Sequence, residues 1–408
     1  MGAKRYLSDD GQLTARGLLA VALIVVAFSL GACGGGNQSS SIQPTASPTP
    51  IPAVKANLTD ESGTEGSPAV PVTSYADVVG RVAPAVVTIH SQSRMRAPQQ
   101  FPFTEDSSFR DFFGDRGNVP PMRAQQRRSG LGSGVIVSTD GYILTNHHVV
   151  DGAEQIKVDL NDNRSLDARL VGSDPPSDLA VLKIEATNLP VLPLGDSERV
   201  RVGDVVLAIG NPLGIGQTVT MGIISAKGRQ TGLSDGSFED FLQTDAPINQ
   251  GNSGGALVST NSELVGINSQ ILSPSGGSIG IGFAIPSNMA RRVMEQLIQG
   301  GKVRRGQLGI VVQKVTTDIA SRLGLKEARG VVVAQVQPGS AAARAGIRQG
   351  DVITSLNGVE VNDPNSFRNQ VASTPPGSEI VLTALRDGRE QQVRVTLGEF
   401  TPQSEQRR

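Results

Sequence analysis

From Val86 to Ile285 the apolar positions fall in short runs separated by turn residues. The runs are Val86 to Ile89, Val135 to Val137, Tyr142 to Thr145, Ile156 to Leu160, Ala168 to Val171, Val181 to Ile184 and Val205 to Ile209. Val219 to Ser225, Leu242 to Thr244, Ala256 to Val258, Leu264 to Asn268 and Gly282 to Ile285 continue the series. No long helical period intervenes, and this rhythm predicts an all-β sandwich or barrel. Helices are predicted on either side. Ser74 is placed to cap a short one carrying Tyr75, Val78, Val79 and Val82 and stopped by Pro84. The second runs from Ser287 to Gln299, with Met289, Val293, Leu297 and Ile298 on one side, and ends at Gly300-Gly301.

Two stretches depart from that rhythm. Ser91 to Ser129 breaks the strand pattern, holding Phe101-Pro102-Phe103, Phe109 to Gly114 and a basic Arg127-Arg128 end. A loop of this length inside a compact domain is a functional candidate. Beyond Lys302 a second block starts, centred on Gly330 to Val333, Pro338-Gly339-Ser340 and Gly350 to Ile353. Asp363-Pro364 opens a helix there that carries Phe367 and Val371.

The amino terminus reads differently again. Lys4, Arg5 and Arg16 precede an apolar stretch from Gly17 to Leu30, the charge-then-apolar layout of a secretory signal. Leu30-Gly31-Ala32-Cys33 follows and looks like a lipoprotein box, in which Cys33 would be acylated and become the first mature residue. An uncleaved anchor helix is the rival reading, since Gly17 to Cys33 just reaches the ~17 residues a span needs. Either reading puts the remainder at a membrane surface outside the cytoplasm. Gly34 to Thr73 is rich in Gly, Ser, Pro and Thr without apolar periodicity, which predicts a tether of roughly 35 Å root-mean-square reach.

Composition removes several function classes. At 408 residues two or three domains are expected. Formal charge is −1 with no sustained basic run, so nothing favours nucleic acid as a partner. Trp is absent and aromatics are 3%, which leaves the cores to aliphatic side chains. One cysteine and three histidines exclude a disulfide framework and a conventional structural zinc site, so no metal and no cofactor is expected. A phosphate loop of the G-x-x-x-x-G-K-[ST] kind is missing as well.

Chemistry concentrates at Asn249-Gln250-Gly251-Asn252-Ser253-Gly254-Gly255. A serine flanked by glycines can sit on a tight turn with the N–H groups of Gly251 and Ser253 aimed at one spot. The same residues fit G-x-S-x-G, the nucleophile elbow of α/β-hydrolases, whose histidine follows the serine. His90, His147 and His148 all precede Ser253, so that reading fails. What remains is the order histidine, aspartate, serine, the chymotrypsin order. Thr145-Asn146-His147-His148-Val149-Val150 follows a strand, and Asp178 opens the apolar run Asp178 to Lys183. His90 stands outside any motif. His147 and His148, taken as neighbours on a strand, would face opposite ways and make a poor metal chelate.

With these three motifs in order, the sequence resembles the HtrA/Deg serine proteases of the chymotrypsin-like class, from about Tyr75 to Leu397. The resemblance rests on T-N-x-H-V at Thr145, D-[IL]-A-[VL]-L at Asp178 and G-N-S-G-G at Gly251, with Ile279 to Pro286 and a PDZ-like block after them. It implies a mainly β architecture, a two-barrel chymotrypsin-like protease domain over 74–301 followed by one α+β PDZ domain over 302–398, with a polar tail at 399–408. His148, Asp178 and Ser253 become the expected triad, and Gly251 with Ser253 the oxyanion hole. Ile248, Ile279 and Ile281 are expected to line the pocket for the residue before the cut. Leu308, Gly309 and Ile310 are expected to capture a peptide carboxylate. Asn252 stands where digestive relatives have an aspartate, so activation by a newly cut amino terminus is unavailable. Loop ordering at Gln230 to Glu239 and Ser269 to Ser278 is the expected substitute. The family further implies a regulatory role for the 91–129 loop, trimeric assembly, and unfolded or misfolded proteins and C-terminal peptides as partners. A PDZ-based chaperone or sensor with minor proteolysis is the competing class.

Overall fold

The computed structural model describes residues 74–94, 127–211, 216–231, 238–249, 251–271, 277–325 and 327–401. The expected signal segment with Cys33, the 34–73 tether, most of the 91–129 loop and the tail from 402 lie outside them. No helix among the described residues is long and apolar enough to cross a membrane.

Helix α1 (Ala76–Val82) leads in, with the Ser74 hydroxyl accepting the Ala76 N–H at 3.1 Å. Six strands then close a barrel: β1 (Val86–Arg94), β2 (Arg127–Ile136), β3 (Tyr142–Thr145), β4 (Gln155–Asp159), β5 (Ser165–Asp174) and β6 (Leu179–Lys183), in the order β1-β2-β3-β6-β5-β4. One turn of helix, α2 (His147–Val150), interrupts it after β3. A second barrel follows from β7 (Val205–Gly210), β8 (Thr218–Arg229), β9 (Phe241–Thr244), β10 (Ala256–Ser259), β11 (Leu264–Ile271) and β12 (Gly282–Pro286), ordered β10-β11-β12-β9-β8-β7.

Two corrections to the sequence reading belong here. Strand β1 continues to Arg94 and β2 begins at Arg127, so both ends of the expected 91–129 loop are strand. Polar residues are tolerated because β1 is hydrogen-bonded on both sides, to β2 and β4, and its side chains alternate, Ser91 inward and His90 with Gln92 outward. The histidine pair is helical. Asn146, in extended backbone, ends the strand and starts the turn, so His147 and His148 diverge by about a third of a helical turn.

Unbroken apolar runs are explained by burial on both faces. In β6, Ala180 and Leu182 fill the first barrel while Leu179 and Val181 face a core shared with the second. In β7, Val206 and Ala208 fill the second barrel while Leu207 and Ile209 face that same shared core. Each valine, leucine or isoleucine among them, fully withdrawn from water, contributes about 1.5–3 kcal/mol. Helix α3 (Ser287–Gly300) covers the seam with Ala290, Val293 and Leu297, and Gly301 ends it in left-handed backbone at φ 69°.

The remaining chain forms β13 (Gly306–Gln307), β14 (Ile310–Lys314), α4 (Thr317–Arg322), β15 (Val331–Val336), α5 (Ala341–Arg344), β16 (Val352–Leu356) and β17 (Val359–Glu360). Helix α6 (Pro364–Ser373), β18 (Glu379–Arg386), β19 (Arg389–Thr396) and β20 (Gly398–Glu399) complete it. Its main sheet runs β14-β15-β16-β18-β19, leaving β14 on an edge. Asp363 caps α6, accepting the Asn365 and Ser366 N–H groups at 2.9 Å, and Pro364 occupies the first helical position. Phe367 and Val371 pack with Leu308, Val331, Ile353 and Ile380.

Candidate active site

The site is built around an aspartate in a strained turn. Asp174 ends β5 and its carboxylate accepts the Ser177 N–H at 3.1 Å, which closes the short turn Pro175–Ser177. Asp178 follows in left-handed backbone at φ 54°, a conformation aspartate tolerates better than most residues. Its carbonyl is held by the His147 N–H at 3.1 Å and the Asn146 side-chain amide at 3.0 Å. That clamp turns the carboxylate onto α2, where Oδ1 accepts the His148 N–H at 3.1 Å and both oxygens lie 2.9 Å from His148 Nδ1. The Ser269 hydroxyl donates to Oδ2 at 2.9 Å.

Burial pushes the Asp178 carboxyl up, but the charge of His148, its two hydrogen bonds and that of Ser269 hold it below the ordinary carboxylate range. An ionised Asp178 can only accept, so Nδ1 carries the proton. Proton exchange with a further group is thereby left to Nε2.

Ser253 lies in a turn between Asn249 and β10, nearly buried at 3% exposure. The turn is closed by Asn252 N–H to the Asn249 carbonyl at 3.0 Å, and Gly254 N–H to the Asn268 carbonyl at 2.8 Å ties it to β11. Gly251 (φ 99°) and Gly254 (φ 81°) both need positive φ. At Gly254 a side chain is also excluded sterically: a Cβ would stand 2.2 Å from the Ser133 carbonyl and 2.3 Å from Thr145 Oγ1. The Ser253 carbonyl accepts the Ser133 N–H at 2.8 Å, which docks the turn on β2. A Cβ at Gly132, one residue earlier, would meet Val149 of α2 at 2.7 Å and the Ser253 carbonyl at 3.3 Å. The serine turn and the histidine helix therefore flank the same short piece of β2. Among the described residues, the Gly251 and Ser253 N–H groups donate to no backbone acceptor.

The other expected site residues have diverse surroundings. Ile248 is fully buried in the second barrel, with its Cδ1 packed over Gly282. Ile281 packs against the shared core, and Ile279 is 55% exposed. Leu308 is buried and gives its carbonyl to the Ala342 N–H at 2.9 Å. Gly309, at φ 73°, gives its carbonyl to the Gln337 N–H at 2.9 Å, and Ile310 begins β14 opposite Val336. Leu308 and Gly309 N–H groups donate to no backbone acceptor among the described residues. A cavity of about 220 Å³ beside them is lined by Gln307, Gln337, Ser340 and Arg344. No cluster of metal-ligating side chains occurs among the described residues.

Sequence reasoning missed Ser269, Asn146 and Ser133. Asn146 stood inside a quoted motif, a usable signal. Ser269 was absorbed into an expected Gly/Ser loop although it belongs to β11, and a lone serine in a strand gives no sign of its partner.

Comparison with known proteins agrees with this geometry. Residues 132–267 match a trypsin-like peptidase domain and residues 306–397 a PDZ domain. The periplasmic pH-dependent serine endoprotease DegQ of Escherichia coli (strain K12) is 47% identical over 336 residues, spanning 82% of this chain and 72% of that protein. The periplasmic serine endoprotease DegP of Salmonella typhimurium is 46% identical over 347 residues, 81% of this chain and 73% of that one. Among solved structures, the HtrA-type protease AlgW with a tripeptide is 47% identical with a TM-score of 0.66, covering 81% of this chain and 98% of that one. A serine endoprotease from Yersinia pestis is 43% identical with a TM-score of 0.55, covering 81% and 100%. The chain is a member of the HtrA/Deg family, a trypsin-like serine endopeptidase carrying one PDZ domain.

Proposed function

We propose that Ser253 is the nucleophile, His148 the general base and Asp178 its orienting carboxylate, in an ATP-independent endopeptidase acting on unfolded or damaged proteins outside the cytoplasm. The observation that carries this reading is the His148 Nδ1–Asp178 contact at 2.9 Å, which leaves Nε2 as the basic nitrogen. Ser253 Oγ attacks the scissile carbonyl as Nε2 takes its proton; the carbonyl oxygen becomes an oxyanion met by the Gly251 and Ser253 N–H groups. His148 then returns the proton to the leaving amine, and water repeats the cycle on the acyl-enzyme. Each oxyanion donor is worth on the order of 10²–10³ in rate. Relatives described as periplasmic support the location.

The PDZ domain is proposed to bind a peptide carboxyl terminus along β14, with Leu308, Gly309 and Ile310 at the carboxylate. An open strand edge suits strand addition, and the likeness to AlgW solved with peptides supports it. Cleavage of unfolded casein by the wild type and not by Ser253→Ala is the expected result. Equal cleavage by both would refute the assignment and leave a peptide-binding protein. A C-terminal peptide should raise the casein rate; an unchanged rate at saturation would make the PDZ domain a tether.

A further inference from the structure

Ser133 is fully buried in β2 and joins parts of the site that the triad does not. Its hydroxyl donates to the Gly251 carbonyl at 2.6 Å and accepts the Asn211 N–H at 2.9 Å. Its N–H holds the Ser253 carbonyl at 2.8 Å, and its carbonyl accepts the Thr145 hydroxyl at 2.7 Å. Both residues that supply the oxyanion donors are thus held by their carbonyls to this one serine. The hydroxyl thus gives its one proton to Gly251 and takes a hydrogen bond from Asn211. Asn211 in turn bonds through its side chain to Thr88 of β1, so the chain Thr88–Asn211–Ser133–Gly251 crosses from one barrel to the other.

Gly251, at φ 99°, has a glycine's conformational freedom, and its N–H belongs to the peptide just before the carbonyl that Ser133 holds, so a shift of its α-carbon would carry that N–H off the oxyanion. The only side-chain hydrogen bond to that residue among the described residues comes from Ser133. We infer that Ser133 is a positioning residue of the oxyanion hole, its hydroxyl anchoring the Gly251 carbonyl, and with it the α-carbon beside the donor N–H, so that the donor is aimed before substrate arrives. The inference rests on Ser253 being the nucleophile. Preorganised donors act on the transition state and leave ground-state binding alone, which separates this role from a purely structural one.

The test compares wild type, Ser133→Ala and Ser253→Ala for casein and peptide cleavage, inhibition by a peptide boronic acid, and competitive inhibition by a product-like peptide acid. Ser133→Ala is expected to lower kcat by ~10- to 100-fold, to weaken the boronate by a similar factor, and to leave KM and product affinity within about twofold. A kcat within twofold of wild type, or equal losses of boronate and product affinity, would overturn it. An inactive Ser253→Ala beside those results would keep the nucleophile assignment standing, whereas an active one would remove both. Should Ser133→Ala not fold, Thr88→Val relaxes the same chain from its far end; a loss of ~2- to 5-fold in the ratio of boronate to product affinity is expected, and no change in that ratio counts against the role.

Discussion

Asp178 shows how a single residue is set for its task by groups around it. Its carboxyl is held below the ordinary carboxylate range, so the stabilisation from its ionised form is present above the unfolded pKa and lost only as pH falls through the lower folded value. Activity lost on acidification between pH 6 and about pH 4 should therefore be insensitive to this group. Asp178→Asn should cut kcat by ~10⁴-fold through the wrong imidazole tautomer, read in single-turnover cleavage. Asp240 shifts the opposite way. Burial first, then the Glu198 and Asp363 charges, raise it to about 6 against the opposing Arg292 and Lys227. An acid raised in the folded state stabilises most below its unfolded pKa, and that contribution disappears as pH climbs toward 6. Asp240→Asn should flatten the fall in Tm between pH 4 and pH 6 and raise Tm at pH 7, followed by thermal melts across pH. Gly254→Ala should abolish cleavage, since its Cβ would meet the Ser133 carbonyl; active-site titration with a fluorophosphonate is the check. Motif and chain order singled out His148, Asp178 and Ser253, the first two of which are in contact. Ser133 and Ser269 were not legible, because each acts through a partner more than ninety residues away in the chain.

Elements were read well where apolar residues are buried on two faces, as in β6 and β7, and less well where polar side chains line a paired strand. Strand β1 beyond Ile89 is the case in point: its ladder to β2 and β4 is invisible in a pattern of side chains. At α2 the failure was different, since one helical turn is too short to establish a period. The turn from Asp174 to Asp178 carries the sharpest consequence at this scale. Arg305, just ahead of β13, makes a bidentate and buried pair with Asp174, and its guanidinium lies 4.6 Å from the Phe238 ring. Removing one member of such a pair strands the other, at a cost of about 3–5 kcal/mol. Arg305→Ala should lose that much in urea titrations and also lower kcat, because Asp174 closes the turn that presents Asp178. A double-mutant cycle with Asp174→Ala separates the pair's own coupling from the stranding penalty.

Across the whole molecule, the PDZ sheet and the second barrel are knitted by specific contacts. Asn365 and Asn369 of α6 donate to the Glu239 carbonyl at 2.9 and 2.7 Å, Gln230 donates to Asn365 at 2.6 Å, and Phe238 meets Phe400 edge-on at 5.3 Å. Calorimetry on a chain lacking residues 1–73 should accordingly show one cooperative transition, and combining Arg305→Ala with Asn369→Ala should split it into two. The two-barrel and PDZ arrangement was legible from strand rhythm together with the family resemblance; the contacts joining them were not, because they link polar residues without periodicity. The closure of both barrels has its own outcome for an endopeptidase. A sheet wrapped onto itself offers no selvedge for a stray strand to stitch onto, so the cutting half is proofed against strand-by-strand aggregation. Only β14 and β19 bound a long sheet with unsewn margins among the described residues, and of these β14 directly follows Leu308 and Gly309, the proposed seat of a chain end.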